Sequence, residues 1–195
     1  MLKGKTIVVG LSGGIAAYKA CDLVRRLKEQ GAEVHVMMTR AAREFVTPLT
    51  LQTLSGNPVH TELFSLTEEQ QIGHISLADR ADLIVIAPAT ADLLAKAAHG
   101  IADDLVTTVL LATTAPILFA PSMNVHMWEN RITQENVAKL KQVGCTILEP
   151  AEGSLACGYE GKGRLPDPES ILAAILKMIN ASHFDKKLRG SKNKI

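Results

Sequence analysis

Residues 6–16 read Thr6-Ile-Val-Val-Gly10-Leu-Ser12-Gly13-Gly14-Ile15-Ala16: a β-branched run, a glycine-rich turn, then the start of an amphipathic stretch. The run Thr6 to Gly10 has the composition of a buried strand. Beyond the turn, Ala17, Ala20, Cys21, Val24 and Leu27 fall on one helical face as far as about Gln30. Lys19, Asp22, Arg25, Arg26, Lys28 and Glu29 fall on the other, and Gly31 is a natural stop. Strand, glycine turn and helix are the opening of a βαβ unit.

The same alternation continues along the chain. Glu33 to Met38, Leu83 to Ala87 and Ile117 to Ala120 read as further strands, with Cys145 to Leu148 as the last. Asp167-Pro168-Glu169 places an N-cap before a proline at the first helical position, opening a final helix with Ile171, Leu172, Ile175, Leu176 and Ile179 inward. Strands alternating with helices predict an α/β fold in three layers: a parallel sheet, Rossmann-like (flavodoxin-like), with helices on both faces. Residues 181–195 lose the periodicity and turn basic, so the expected domain is 1–180 with a tail or linker at 181–195.

The 195 residues suffice for one domain whose core needs no disulfide or metal staple. The three cysteines, at 21, 145 and 157, make neither a disulfide framework nor a zinc site and fit a reducing cytosol. A formal net charge of +1 argues against a nucleic-acid partner. That charge is an average, because residues 1–180 hold 16 Lys+Arg against 19 Asp+Glu, a net of −3. Phosphate binding in this domain must therefore come from local N–H groups and chosen cations. Leu105 to Phe119, the most apolar stretch, carries four threonines and Pro116 and is too short to span a bilayer. The N-terminal run resembles a signal peptide only until Ser12-Gly13-Gly14 and the charges after it interrupt it, so a cytoplasmic location is expected.

In an open parallel sheet, ligands bind beyond the carboxyl ends of the strands. Three such ends carry unusual residues: Ser12 to Ala16, Pro88-Ala89-Thr90-Ala91-Asp92, and Pro121-Ser122-Met123-Asn124. Proline is expected to end the strand pairing at the latter two. The first turn has Ser12 and Ile15 where a dinucleotide fingerprint wants glycine, and the P-loop lysine is absent. Met38-Thr39-Arg40 offers no acid for an adenosine ribose. A monophosphate held by the N–H groups and the Ser12 hydroxyl fits better than a dinucleotide, the bland alternative being a plain glycine turn. Gly10-x-Ser12-x-Gly14 also spells the nucleophile elbow of hydrolases, but no strands precede it and no acid–histidine couple can be argued. His74 is the natural proton carrier if it reaches the ligand. Cys157 lies in a loop with three glycines and flanking Lys162 and Arg164, between the last strand and the last helix, expected to be a mobile, electropositive lid. The histidines show no metal-ligand spacing, and Asp103-Asp104 reads as helix capping, so no metal is expected.

Together, Gly73-His74-Ile75, Pro121-Ser122-Met123-Asn124 and the Ala156-Cys157-Gly158-x-x-Gly161-x-Gly163-Arg164 pattern resemble the flavin-containing cysteine decarboxylases over residues 1–180. Ser122 stands where alanine is commoner, and Tyr159 where aspartate often follows Cys-Gly. The likeness is strongest to members that decarboxylate 4′-phosphopantothenoylcysteine to 4′-phosphopantetheine in coenzyme A synthesis. Peptidyl-cysteine decarboxylases share the Pro-x-Met-Asn motif, prenyl-flavin synthases lack the Cys157 loop, and relatives that regulate phosphatases lose catalytic residues or carry acidic extensions. The resemblance implies bound FMN and a homotrimer or dodecamer with sites shared between subunits. It implies that Ser12, Gly13, Gly14, Ile15 and Ala16 hold the phosphate, with Thr39, Phe45, Pro88, Ala89, Thr90, Ala91 and Asp92 around the rest of the cofactor. The substrate thiol would be oxidised to a thioaldehyde with His74 assisting, CO2 lost, and the enethiolate protonated by Cys157 and re-reduced. Asn124 would orient the substrate, with Met123, Ala156 and Arg164 also in contact. In many bacteria such a domain is fused to the synthetase that makes its substrate, so a fused synthetase domain is a further expectation.

Overall fold

The computed structural model describes residues 1–63, 73–154 and 160–192, with the backbone alone given at Gly73, Ser154 and 182–192. Six parallel strands form the central sheet: β1 (Thr6–Leu11), β2 (Glu33–Met38), β3 (Val59–His60), β4 (Leu83–Ala89), β5 (Ile117–Pro121) and β6 (Thr146–Ile147). Their order is β3-β2-β1-β4-β5-β6, with every pairing parallel. This is the Rossmann order, and without the two-residue edge strand β3 it is the flavodoxin order.

Period-two alternation divides the core between the two faces. Ile7, Val9 and Leu11 of β1 point to the same side as Leu83, Val85 and Ala87 of β4. There they meet Leu23, Val24 and Leu27 of α1 (Tyr18–Glu29), Leu51 of α2 (Pro48–Ser55), and Ile171, Ile175 and Ile179 of α8 (Pro168–Lys192). Val8, Met37, Ile84, Ile86 and Phe119 point the other way. They are covered by α3 (Gly73–Arg80), α4 (Ala91–His99), α5 (Leu105–Ala112) and α7 (Arg131–Gln142), and a short helix α6 (Val125–Glu129) adds Trp128. The three expected layers are present, and both sheet faces are dry.

Three local expectations are corrected. Proline does not end pairing: β4 runs through Pro88 to Ala89, and Ala89 pairs with Pro121 after a register shift following Ile86. Pro88 lies in that irregular stretch, where a strand tolerates the loss of an N–H donor. Much of the expected glycine lid is regular structure, because β7 (Ala151–Ser154) and β8 (Glu160–Arg164) pair as an antiparallel hairpin. Its connecting residues, with Ala156, Cys157 and Tyr159, lie outside the described residues. The last helix does not stop near 180 but continues to Lys192, since losing an apolar stripe removes packing without breaking backbone hydrogen bonds.

Candidate functional site

The strand order reverses about β1 and β4, so the chain leaves their carboxyl ends in opposite directions and opens a crevice between them. Beyond β1, Gly14 is extended (φ −162°, ψ 155°) and caps a 3-10 turn (Ile15–Ala17) with no side-chain hydrogen bond. That turn runs straight into α1, so its leading N–H groups are left for a ligand. Gly13 is required by contact: a Cβ there would lie 2.4 Å from the Ala41 Cβ and 2.8 Å from the Ala41 carbonyl carbon. The turn after β1 is therefore pressed onto the 3-10 turn Arg40–Glu44 after β2, whose N-cap Thr39 accepts from the Ala42 N–H through Oγ1 at 3.2 Å.

Ser12 differs from expectation in what its hydroxyl does. The residue is 2% exposed; Oγ donates to the Pro88 carbonyl at 2.7 Å and accepts from the Thr90 N–H at 2.9 Å. Its backbone N–H donates to the same carbonyl at 3.2 Å. Ser12 thus fastens the end of β1 to the end of β4, and its proton is already engaged by the protein. This geometry speaks against a hydrolase nucleophile, which needs a base at that proton.

Ser12, Gly13, Thr39, Thr90, Ala91 and Asp92, six of the residues singled out from sequence, line one cavity of about 520 Å³. Thr90 caps α4, its Oγ1 accepting from the Leu93 N–H at 3.4 Å. Pro88 and Ala89 are buried in β4, whereas Ile15 and Phe45 are 61% and 47% exposed; like Gly14 and Ala16, they are not among the cavity walls. Sequence reasoning missed the walls Arg40, Glu44, Lys96, Asp104 and Met127. Lys96 Nζ lies 3.0 Å from Asp103 and 3.4 Å from Asp92. The hydrogen bond with Asp103 raises the lysine pKa and holds the Asp103 carboxyl below its usual range. Asp104 closes a capping box on α5 with Thr107, as its reading as a cap anticipates.

The third strand end is built differently. The Ser122 N–H donates to the Ala89 carbonyl at 3.0 Å, tying Pro121–Asn124 to β4. From the other side, the Met123 N–H donates to the Gly163 carbonyl at 3.0 Å. A Cβ on Gly163 would come within 2.4 Å of the Met123 oxygen. Gly161 has φ +147°, and a Cβ there would meet Val125 Cγ2 at 2.8 Å. The glycines of the expected lid thus let β8 lie flat on the Pro-x-Met-Asn segment. Asn124 caps α6, its Oδ1 accepting from the His126 N–H at 2.8 Å. Met123 is half-buried against the core under α5 and α7. Arg164 folds back over its own hairpin, with Nη1 2.7 Å from where a Gly153 Cβ would stand.

His74 is the second residue of α3, which runs back along the sheet into β4 and so begins near the carboxyl edge. Its Nδ1 is buried with no hydrogen-bond partner among the described residues. A buried polar nitrogen without a partner is costly unless something else completes it. Neither His74, Asn124 nor Arg164 lines the cavity formed by the strand-one turn.

Residues 1–180 match the family model described as Flavoprotein. The chain belongs to that family. This flavoprotein is 55% identical over 172 residues to a protein of Vibrio vulnificus (strain YJ016) named coenzyme A biosynthesis bifunctional protein CoaBC, a match covering 88% of this chain and 43% of that protein. A Bacillus subtilis (strain 168) protein of the same name is 51% identical over 172 residues, again 88% of this chain and 43% of the other. The flavoprotein thus spans less than half the length of these curated relatives. Among solved structures, a cysteine-to-serine mutant of PPC decarboxylase complexed with pantothenoylaminoethenethiol matches with a TM-score of 0.76 and 30% identity, covering 88% of this chain and 96% of that one. The FMN-dependent cysteine decarboxylase SpaF matches with a TM-score of 0.80 and 33% identity, covering 94% and 99%.

Proposed function

We propose that this flavoprotein is an FMN-dependent carboxy-lyase that converts 4′-phosphopantothenoylcysteine to 4′-phosphopantetheine in coenzyme A biosynthesis. The observation that carries the reading is the cavity of about 520 Å³ at the β1/β4 switch point. Its size falls in the ~300–1,000 Å³ range of ligand sites. Ser12 and Gly13 bring the turn after β1 to the cavity wall, and just behind them lies an uncapped helix start, a donor set that fits a phosphate; Gly13 itself leaves no room for a side chain. Ser12 to Ala16 would hold that phosphate, Ser12 chiefly by shaping the turn, with Thr39, Phe45 and Pro88–Asp92 around the remainder. When bound, the flavin supplies a two-electron acceptor, which makes the substrate carboxylate β to a C=S bond and so gives its electrons a sink.

The chain's own residues then have distinct tasks. His74 takes the proton released as the substrate thiol is oxidised, and its unpartnered Nδ1 supports a role in which substrate or a neighbouring subunit completes the site. Asn124, positioned by its cap on α6, orients the substrate carboxylate or amide, and Met123 packs beside it. Arg164, at the end of β8, and Ala156 contact the substrate. Cys157 returns a proton to the enethiolate after CO2 leaves. Ile15, Phe45 and Met127 are exposed at 61%, 47% and 49%, and support assembly into a homotrimer or dodecamer with shared sites. Residues 1–180 form the catalytic domain and 181–195 a tail or linker. The bifunctional relatives, of which this chain matches 43%, support a fused phosphopantothenoylcysteine synthetase domain. A cytoplasmic setting suits the reaction, and among the described residues no helix is long and apolar enough to cross a membrane.

The test begins with the purified protein, which should be yellow and hold one FMN per chain. Cys157→Ser should then release CO2 yet accumulate oxidised product and reduced flavin. A colourless protein that refuses FMN would overturn the reading, and normal turnover by Cys157→Ser would remove the cysteine's role.

A further inference from the structure

The switch-point cavity is acid-lined: Glu44, Asp92 and Asp104 stand against two cations, Arg40 and Lys96. Lys96 is committed to Asp92 and Asp103. Arg40 makes no ion pair among the described residues. It is exposed, and it is the first residue of the 3-10 turn capped by Thr39. Its neighbour Ala41 is the residue pressed against Gly13. The Arg40 backbone therefore runs beside Gly13, the residue that leads into the uncapped turn, and Arg40 and Gly13 are walls of the same cavity.

A phosphate carries close to two negative charges near neutral pH. Entering a cavity with three carboxylate walls, it needs an uncommitted cation as well as backbone dipoles. We propose that Arg40 is that cation, its guanidinium taking the 5′-phosphate of FMN and so making the cavity select the phosphorylated flavin over riboflavin. A planar guanidinium forms paired hydrogen bonds to phosphate oxygens, which a free arginine at a cavity mouth is placed to do. The inference rests on the FMN reading above and adds to it the residue that reads the phosphate.

The experiment measures equilibrium binding of FMN and of riboflavin to flavin-free protein by quenching of flavin fluorescence, for the native chain, Arg40→Gln and Arg40→Lys. Arg40→Gln should weaken FMN roughly five- to twenty-fold, the range for a charge-assisted contact at an exposed site. Riboflavin affinity should stay within about two-fold, Arg40→Lys should recover part of the FMN loss, and the salt dependence of FMN binding should flatten in Arg40→Gln. FMN affinity unchanged in Arg40→Gln, or equal weakening of both flavins, would overturn the proposal while leaving the FMN reading intact. A native chain that binds neither flavin would overturn both.

Discussion

Replacing Ser12 by alanine removes the fastening between the ends of β1 and β4. The Ser12 hydroxyl is buried at 2% exposure and makes two short hydrogen bonds, to the Pro88 carbonyl at 2.7 Å and from the Thr90 N–H at 2.9 Å. The two losses differ in consequence. The Pro88 carbonyl keeps the Ser12 N–H at 3.2 Å, so it remains satisfied. The Thr90 N–H loses its partner at the start of α4, where no preceding turn of helix can replace it. A typical net hydrogen bond contributes about 0.5–1.5 kcal/mol, and the Thr90 N–H, part-buried at the cavity wall, sits at the low end of the about 1–3 kcal/mol cost of an orphaned donor. Ser12→Ala should therefore destabilise by about 2 kcal/mol. For a chain of this length that lowers Tm by roughly 4–8 °C. Urea unfolding of flavin-free protein, with an unchanged m-value, isolates the stability term. A change under about 0.5 kcal/mol would refute the reasoning and return the hydroxyl to a direct ligand or nucleophile role.

Gly163→Ala should be costly although the residue is far along the chain from the strand-one turn, because its Cβ would stand 2.4 Å from the backbone oxygen of Met123. The expected cost is about 1–3 kcal/mol in urea unfolding, with FMN retained and turnover reduced as Pro121–Asn124 is displaced. His74→Asn should keep FMN and lose turnover, since it removes a proton carrier and not a cofactor contact; retained decarboxylation would count against the role. His35 on β2 has its ring 6.3 Å from that of His60 on the edge strand β3, and burial holds its pKa below the ordinary value of 6.5 while Glu33 opposes. Among the charges acting on it, His60, Arg80 and Lys28 push the same way as burial. The unfolded chain then binds the proton first, so stability should fall as pH drops through 6.5 toward the folded value and level off below it. His35→Gln should flatten that part of the profile, and an unaltered slope would contradict the assignment.

The fold was legible where burial writes itself into composition. β1, β2, β4 and β5 are apolar runs because both faces of the sheet are covered, and each was recognisable within a residue or two. The edge strand β3 is two residues of Val59 and His60, too short to carry a pattern. β7 and β8 read as loop because Gly-rich strands have no alternation; their glycines answer to the backbone of Met123 and the side chain of Val125, which lie elsewhere in the chain. The prolines at 88 and 121 are stop signals by local rules, but their pairing is settled by the neighbouring strand. At the site, the turn residues were legible because glycine and serine after a strand carry a local meaning. Arg40 and Lys96 were not, since an exposed cation on a turn or helix looks like any surface residue until the walls of the cavity are assembled. The missing partner of His74 Nδ1 is likewise a property of packing and leaves no mark on sequence.

The purified FMN-loaded chain, incubated with 4′-phosphopantothenoylcysteine, should release CO2 and form 4′-phosphopantetheine in equal amounts, with transient bleaching of the flavin absorbance and no net consumption of oxidant. Failure to release CO2 from that substrate, with turnover instead of a peptide ending in cysteine or of neither, would contradict the account.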